Sequence, residues 1–258
     1  MNRLLHFPGA GIVAVCAFVF LYVPILVLVA LSFSDSDSLA RWSGFSLRWY
    51  SEVATNEDMQ RSLRNSATVA AFATPIATIL ATMAALAYAR KARSPPETLL
   101  VLPLLVPEIV GGIAILLFFV LAGIPLGRIS IILAHVVFLI PLAYLPIRAR
   151  LEGLDPALAE AAADLHAPPW PTFRHIIFPL IAPGIAAGAM LAFIGSLGDV
   201  VISYFVSGPG ATTLPVYVFG MVRMGVTPAV NAISTLLLTA SVSIFIAATL
   251  ITRRLRPP

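Results

Sequence analysis

Charge is what this sequence has least of. Only 11% of its 258 residues are Asp, Glu, Lys or Arg, against 59% hydrophobic, too little polar side chain to coat a water-soluble globule. A soluble fold is excluded, and an all-α polytopic membrane protein is expected. The single cysteine, Cys16, excludes an internal disulfide and any cysteine-rich metal site. The four histidines, His6, His135, His166 and His175, form no His-Glu-x-x-His arrangement. None has a carboxylate at ligand spacing, so each reads as an ordinary structural residue, and no metal is expected. No Gly-x-x-x-x-Gly-Lys-[Ser/Thr] run occurs to cradle phosphate, so ATP and Mg chemistry would have to reside in another chain, and this one is not expected to be an enzyme. The formal charge of +4 and pI of about 9.6 do not point to nucleic acid, because no basic patch is interleaved with aromatics.

What is present is a series of apolar runs. Six spans are expected, at about 9–32, 65–89, 99–121, 129–145, 180–206 and 229–251, with no separate soluble domain, so that 1–258 reads as one transmembrane domain. The first run follows Arg3 like a signal peptide, but it is longer than such a segment and no Ala-x-Ala site follows it, so it reads as a retained span. Residues 33–63 are polar and read as an external loop, with Trp42, Trp49 and Tyr50 placed like interface anchors. Pro103, Pro107 and Gly111-Gly112 predict a broken or kinked third span that faces protein or water. With the amino terminus inside, internal segments hold ten of the sixteen basic residues. Both termini are therefore expected in the cytoplasm, with residues 151–179 on the same side.

That stretch is the one long polar segment in the second half of the chain. Asp155-Pro156 predicts a helix start, and Pro168-Pro169 its end. Leu151, Leu154, Leu158, Ala162 and Leu165 recur at three- and four-residue spacing, while Glu160 and Asp164 repel one another at i and i+4, so a basic partner surface would suit this helix. Glu160-Ala161-Ala162, three residues, His166, nine residues and Ile176-Ile177-Phe178-Pro179 resemble the EAA loop of ABC importer permeases. In that family the pattern reads Glu-Ala-Ala, three residues, Gly, nine residues, Ile-x-Leu-Pro, and the helix docks into a groove on the cytoplasmic ATPase. This chain departs at His166 and Phe178. The family's Gly is expected in a left-handed turn, which His tolerates at some cost.

The resemblance sharpens at Ser196-Leu197-Gly198-Asp199 through Pro209, at Leu214-Pro215, at Gly225 to Ala232, at Asn65-Ser66 and at Pro107-Glu108-Ile109-Val110. These segments are similar to second permease subunits of spermidine/putrescine importers, which often have Asp-Asp where this chain has Gly198-Asp199 and Asp where it has Glu108. The resemblance implies a type I ABC importer permease fold in the bacterial inner membrane. It also implies a homologous second permease, a dimeric ATPase carrying ATP and Mg, and a periplasmic binding protein. Glu160, Ala161, Ala162, Asp164, Leu165 and His166 would couple to the ATPase. Related permeases for opines, iron(III) or amino-acid-like solutes share much of the pattern, and a proton-coupled carrier or an intramembrane acid-pair enzyme is the rival class.

Glu108 and Asp199 lie in the third and fifth spans, where ionised carboxylates are costly and normally face a wet path. The spans contain no Lys or Arg to pair with them, so a passing cation is the expected partner, with Tyr204 and Phe205 adding cation-π attraction. The plainer alternative is that Asp199 caps a helix and Glu108 bonds backbone freed near Pro107.

Overall fold

A computed structural model describes residues 9–38, 41–88, 95–155, 157–224 and 228–254. Among these the fold is helical: α1 Ala10–Leu31, α2 Arg48–Thr55, α3 Glu57–Tyr88, α4 Pro95–Val101, α5 Glu108–Leu121, α6 Arg128–Glu152, α7 Ala157–Asp164, α8 Pro169–Thr172, α9 Phe178–Gly198, α10 Val201–Val206, α11 Leu214–Met224 and α12 Ala229–Arg254. The chain divides into two compact units, one of residues 1–60 and 220–240 and one of residues 61–219 and 241–258.

In the first unit α1 is apolar all round and exposed along its length, which suits a helix whose solvent is lipid. The segment after it is more ordered than a plain loop. Ser34 bridges to Phe45, the Phe33 and Phe45 rings stack at 5.6 Å, and Arg48 pairs with Asp37. Trp49 does not anchor at an interface as expected: it is buried against Ala229 and Ala232, and its indole N–H donates to Ser34 O at 3.0 Å. An indole buried with its donor satisfied is a core residue. Trp42 is exposed.

In the second unit small residues set the packing. Ala73, Ala77, Ala81 and Ala85 form a fully buried stripe on α3, packed with Leu139, Ala143, Tyr144 and Ile147 of α6 and Ala192 of α9. Gly184, Gly188 and Ala192 repeat at four-residue spacing on α9. A Cβ on Gly188 would stand 2.5 Å from Ala143 O, so the α6 and α9 backbones touch there. Lipid supplies no hydrophobic drive between helices, and close backbone approach at small residues takes its place.

Two apolar runs are broken, each at residues that withhold or redirect backbone donors. The expected third span bends by 109° between Glu97–Leu104 and Glu108–Leu121, with Pro107 at the start of α5. The fifth runs as one helical rod, Pro169–Gly198, and stops at Asp199 before the short α10. Within that rod Phe173–Ile177 forms a π turn, with Phe178 N donating to Phe173 O. Pro179 lacks the N–H that would bond His175, and a wider turn avoids the clash of its ring with that carbonyl.

The described residues hold four helices long and apolar enough to cross a membrane, or five if the bent pair is one span. Six were expected. The difference lies at the 109° bend and at 229–251, where the described apolar part of α12, Ala229–Ser243, is too short to count.

Asp155 starts α7 as expected, its Oδ1 accepting from Ala157 N at 2.9 Å. Pro168-Pro169 do not end the helix; they open α8. The end comes earlier. Ala167 N bonds back to Ala162 O at 3.0 Å, and His166 between them has φ 53°, the one positive φ at a non-glycine among the described residues. This is a left-handed helix stop whose turning position normally carries Gly, and it accounts for the Gly of the EAA pattern. His166 Nδ1 lies 3.1 Å from Asp164 O, a local contact that offsets part of the strain. His166→Gly is therefore expected to leave uptake intact and to stabilise the turn by about 1 kcal/mol. Slower hydrogen exchange over 161–168 with unchanged transport is the expected reading, and loss of transport would contradict it.

Candidate functional site

The break at Asp199 leaves the first donors of α10 without helical partners, and the Asp199 side chain meets them. Oδ1 accepts from Ile202 N at 3.2 Å and Oδ2 from Ser203 N at 2.7 Å. A carboxylate at a helix N-terminus is favoured by the capped donors and by the helix dipole. The same carboxylate has a second partner from α6. His135 Nε2 lies 3.1 Å from Asp199 Oδ2 and 3.0 Å from Ser203 Oγ, while Nδ1 lies 2.9 Å from Ser196 Oγ. The side chains of His135 and Asp199 are 2% and 7% exposed, so the contact is shielded from bulk water.

This corrects the sequence reading of His135, which lies not apart from any carboxylate but against one. No spacing rule could find it, because the two are 64 residues apart and meet through the α6–α9 packing. The available signal was that α6 carries one imidazole among apolar residues, and a buried imidazole needs partners for both nitrogens.

Glu108 opens α5 just after the bend, where it is exposed. Its carboxylate lies within interaction range of Asp199. Glu108, His135 and Asp199 line one cavity of about 380 Å³, whose walls come from Pro103, Phe138 and Leu142. Gly111 and Gly112 face the rings of Phe138 and Phe205, where a Cβ would come within 2.6 and 2.7 Å. Among the described residues no Lys or Arg lines the cavity.

Tyr204 and Phe205 are not in its lining. Phe205 packs over Gly112 and against the cluster of Val69, Phe119 and Ile202. Tyr204 is half exposed, edge-on to Phe205 at 5.9 Å and to Phe219 at 6.5 Å.

On α7, Ala161, Asp164, Leu165 and His166 are exposed and Ala162 is buried. Leu165, just after the last turn of α7, is 83% exposed among the described residues. Glu160 stands on the described helix, but its side chain lies outside the described residues.

A second buried polar group joins α4 to α6. Tyr144 Oη donates to Glu97 Oε1 at 2.6 Å, and Arg148 Nε lies 3.2 Å from the same oxygen and 3.0 Å from Glu152 Oε1. Arg148 Nη1 donates to Tyr88 O at 2.9 Å. Its residues stand at four-residue spacing on α6, which the sequence displays, but the Glu97 partner from α4 does not follow from it.

The chain matches the family described as "Binding-protein-dependent transport system inner membrane component" over residues 73–257. It is 39% identical over 215 residues to the spermidine/putrescine transport system permease protein PotC of Escherichia coli, covering 82% of this chain and 81% of that protein. It is 42% identical over 209 residues to the putrescine transport system permease protein PotI of Escherichia coli, covering 77% and 74%. The Haemophilus influenzae PotC is 38% identical over 216 residues, covering 83% and 84%. Among solved structures, a bacterial ABC transporter involved in the import of the acidic polysaccharide alginate matches the fold with a TM-score of 0.69 at 17% identity, covering 95% of this chain and 93% of that one. The same transporter in complex with an alginate pentasaccharide-bound periplasmic protein matches at 0.68. The chain therefore belongs to the inner membrane components of binding-protein-dependent transport systems.

Proposed function

We infer that the chain is one of two permease halves of a polyamine importer. The observation that carries this reading is that Glu108 and Asp199, the two carboxylates of the broken third and fifth spans, open on one cavity with no Lys or Arg in its lining. An anionic locus in low dielectric attracts a cation more strongly than the same pair in water. The relationship to putrescine and spermidine permeases over about four fifths of the chain supports a short polyamine as that cation.

In this reading residues 1–258 act as a single permease domain with both termini in the cytoplasm, as the distribution of basic residues favours. A periplasmic binding protein presents the solute, and a second permease completes the path. A cytoplasmic ATPase dimer holds ATP and Mg and docks on α7. The exposed Leu165 and the acids Glu160 and Asp164 give that helix an apolar contact and a negative edge for a basic groove. Closure of the ATPase would shift α7 and tilt the helices between inward and outward access.

Ala161→Asp should place an unpaired charge in the docked contact, and Glu160→Lys should reverse the negative edge. Uptake in cells should be lost for the first and reduced for the second with membrane insertion unchanged, and pull-down of the ATPase at wild-type yield by both would contradict the docking.

Asp199→Asn and Glu108→Gln keep shape while removing charge. Each should lower putrescine uptake by proteoliposomes about tenfold or more, with ATP hydrolysis retained, since an amide loses the charge term that holds a cation in a dry site. Normal uptake by the double variant would leave an anionic or neutral solute as the better assignment.

A further inference from the structure

The cavity contains one group that is neither a carboxylate nor a wall. His135 is buried in the middle of α6 and lines the same 380 Å³ space as Glu108 and Asp199. The charged and titratable side chains that face it are Asp199, at the α9–α10 break, and Glu108, at the start of α5. Its other polar neighbours are the hydroxyls of Ser196 on α9 and Ser203 on α10. Two carboxylates in a membrane cavity need a counter-charge when no solute is bound, and the imidazole is the one side chain in the lining able to become a cation.

The hydrogen-bond partners permit both charge states of the ring. With a proton on Nε2 alone, that N–H donates to Asp199 Oδ2, and Nδ1 accepts from the Ser196 hydroxyl, 2.9 Å away. With a second proton, Nδ1–H donates instead, and Ser196 Oγ rotates from donor to acceptor without moving. In either state the Asp199 carboxylate keeps the N–H groups of Ile202, Ser203 and His135 as donors.

We propose that His135 is the charge-balancing residue of the solute cavity, its imidazolium standing in for the cationic solute in the empty site and giving up that proton when the solute binds Glu108 and Asp199. The inference rests on the polyamine-permease reading and adds to it a residue that makes solute and proton compete. The proton leaves through the cavity that the ring lines. Bound solute and charged imidazole would otherwise place like charges across one carboxylate. Solute and proton therefore compete for the same two carboxylates.

The test is uptake of radiolabelled putrescine by proteoliposomes holding the whole importer, with saturating loaded binding protein, between pH 5.5 and 8, where imidazole ordinarily changes charge. Wild-type uptake should fall at least about threefold from pH 7.5 to 5.5, more than ATP hydrolysis falls. His135→Gln keeps an N–H donor for Asp199 but takes no proton, so its uptake should be flat with pH whatever its absolute rate. Because the binding protein is common to both, a difference between the profiles belongs to the permease. A flat wild-type profile, or the same acid fall in His135→Gln, overturns the proposal. If His135→Gln fails to assemble, Ser196→Ala keeps the imidazole but removes the acceptor that its second N–H needs. The acid limb should then move to lower pH, and an unmoved limb overturns the proposal equally. Full uptake by the Asp199→Asn, Glu108→Gln double variant, or no putrescine uptake by wild type, brings down the underlying reading itself and is distinguishable from a failure at His135 alone.

Discussion

The Asp199 carboxylate carries two structural duties at one point. A helix that stops inside a bilayer exposes donors and acceptors that lipid cannot satisfy, at a cost of several kcal/mol for each group left bare. The α9–α10 break is tolerated because Asp199 accepts the N–H groups of Ile202 and Ser203. That capping carboxylate is itself an ionised group in a low-dielectric setting and requires a partner of its own, and His135 from α6 supplies it at 3.1 Å. The capped break, the α6–α9 packing and the chemistry of the cavity are thus consequences of a single carboxylate that must be satisfied from several sides. The cap is also what fixes the carboxylate at the cavity wall.

The other break works by a different device. Pro107 ends one helical segment and leads into α5, and the 109° bend carries Glu108 to the mouth of the same cavity. Here the chain removes a donor by proline instead of capping it. Two interruptions with unlike chemistry therefore place two carboxylates at one locus, and the close contacts of Gly111 with Phe138 and of Gly112 with Phe205 hold α5 against its neighbours. Neither interruption would survive against lipid tails, so the cavity is wet or lined by protein.

The long apolar helices, the interrupted third span and the cap at Asp155 were legible because each depends on residues within a few positions of one another, and the left-handed turn at 166 followed from the resemblance to the EAA loop. Apolar runs, prolines and the Glu-Ala-Ala spacing are local signals. What was not legible depends on which helices touch. His135 was set aside because its carboxylate is distant in sequence, and the burial of Trp49 requires Ala229 and Ala232 from the far end of the chain. The Glu97 to Arg148 pair hides for the same reason. The count of six spans is not matched among the described residues at a boundary case: hydropathy measures how apolar a segment is, and a segment bent by 109° is apolar without being a rod. The end of α7 was misplaced because prolines read as stops, while here they begin the next helix and a backbone turn at His166 ends the previous one.

That turn joins the two ends of the site. After His166 the chain enters α8 at Pro169 and continues as one 30-residue helical rod to Gly198, immediately before Asp199. At 1.5 Å per residue such a rod is about 45 Å long. Its irregularities are the π turn at Phe173–Ile177, close to the α7 end, and Pro183, and the rest is held against α6 through Gly184, Gly188 and Ala192. A backbone in contact with Ala143 O at Gly188 leaves little slack, because packed interiors transmit strain. His135 rides on α6 and Asp199 on the end of α9, so the packing of these two helices holds the imidazole against the carboxylate, while Glu108 reaches the same cavity from the bend before α5.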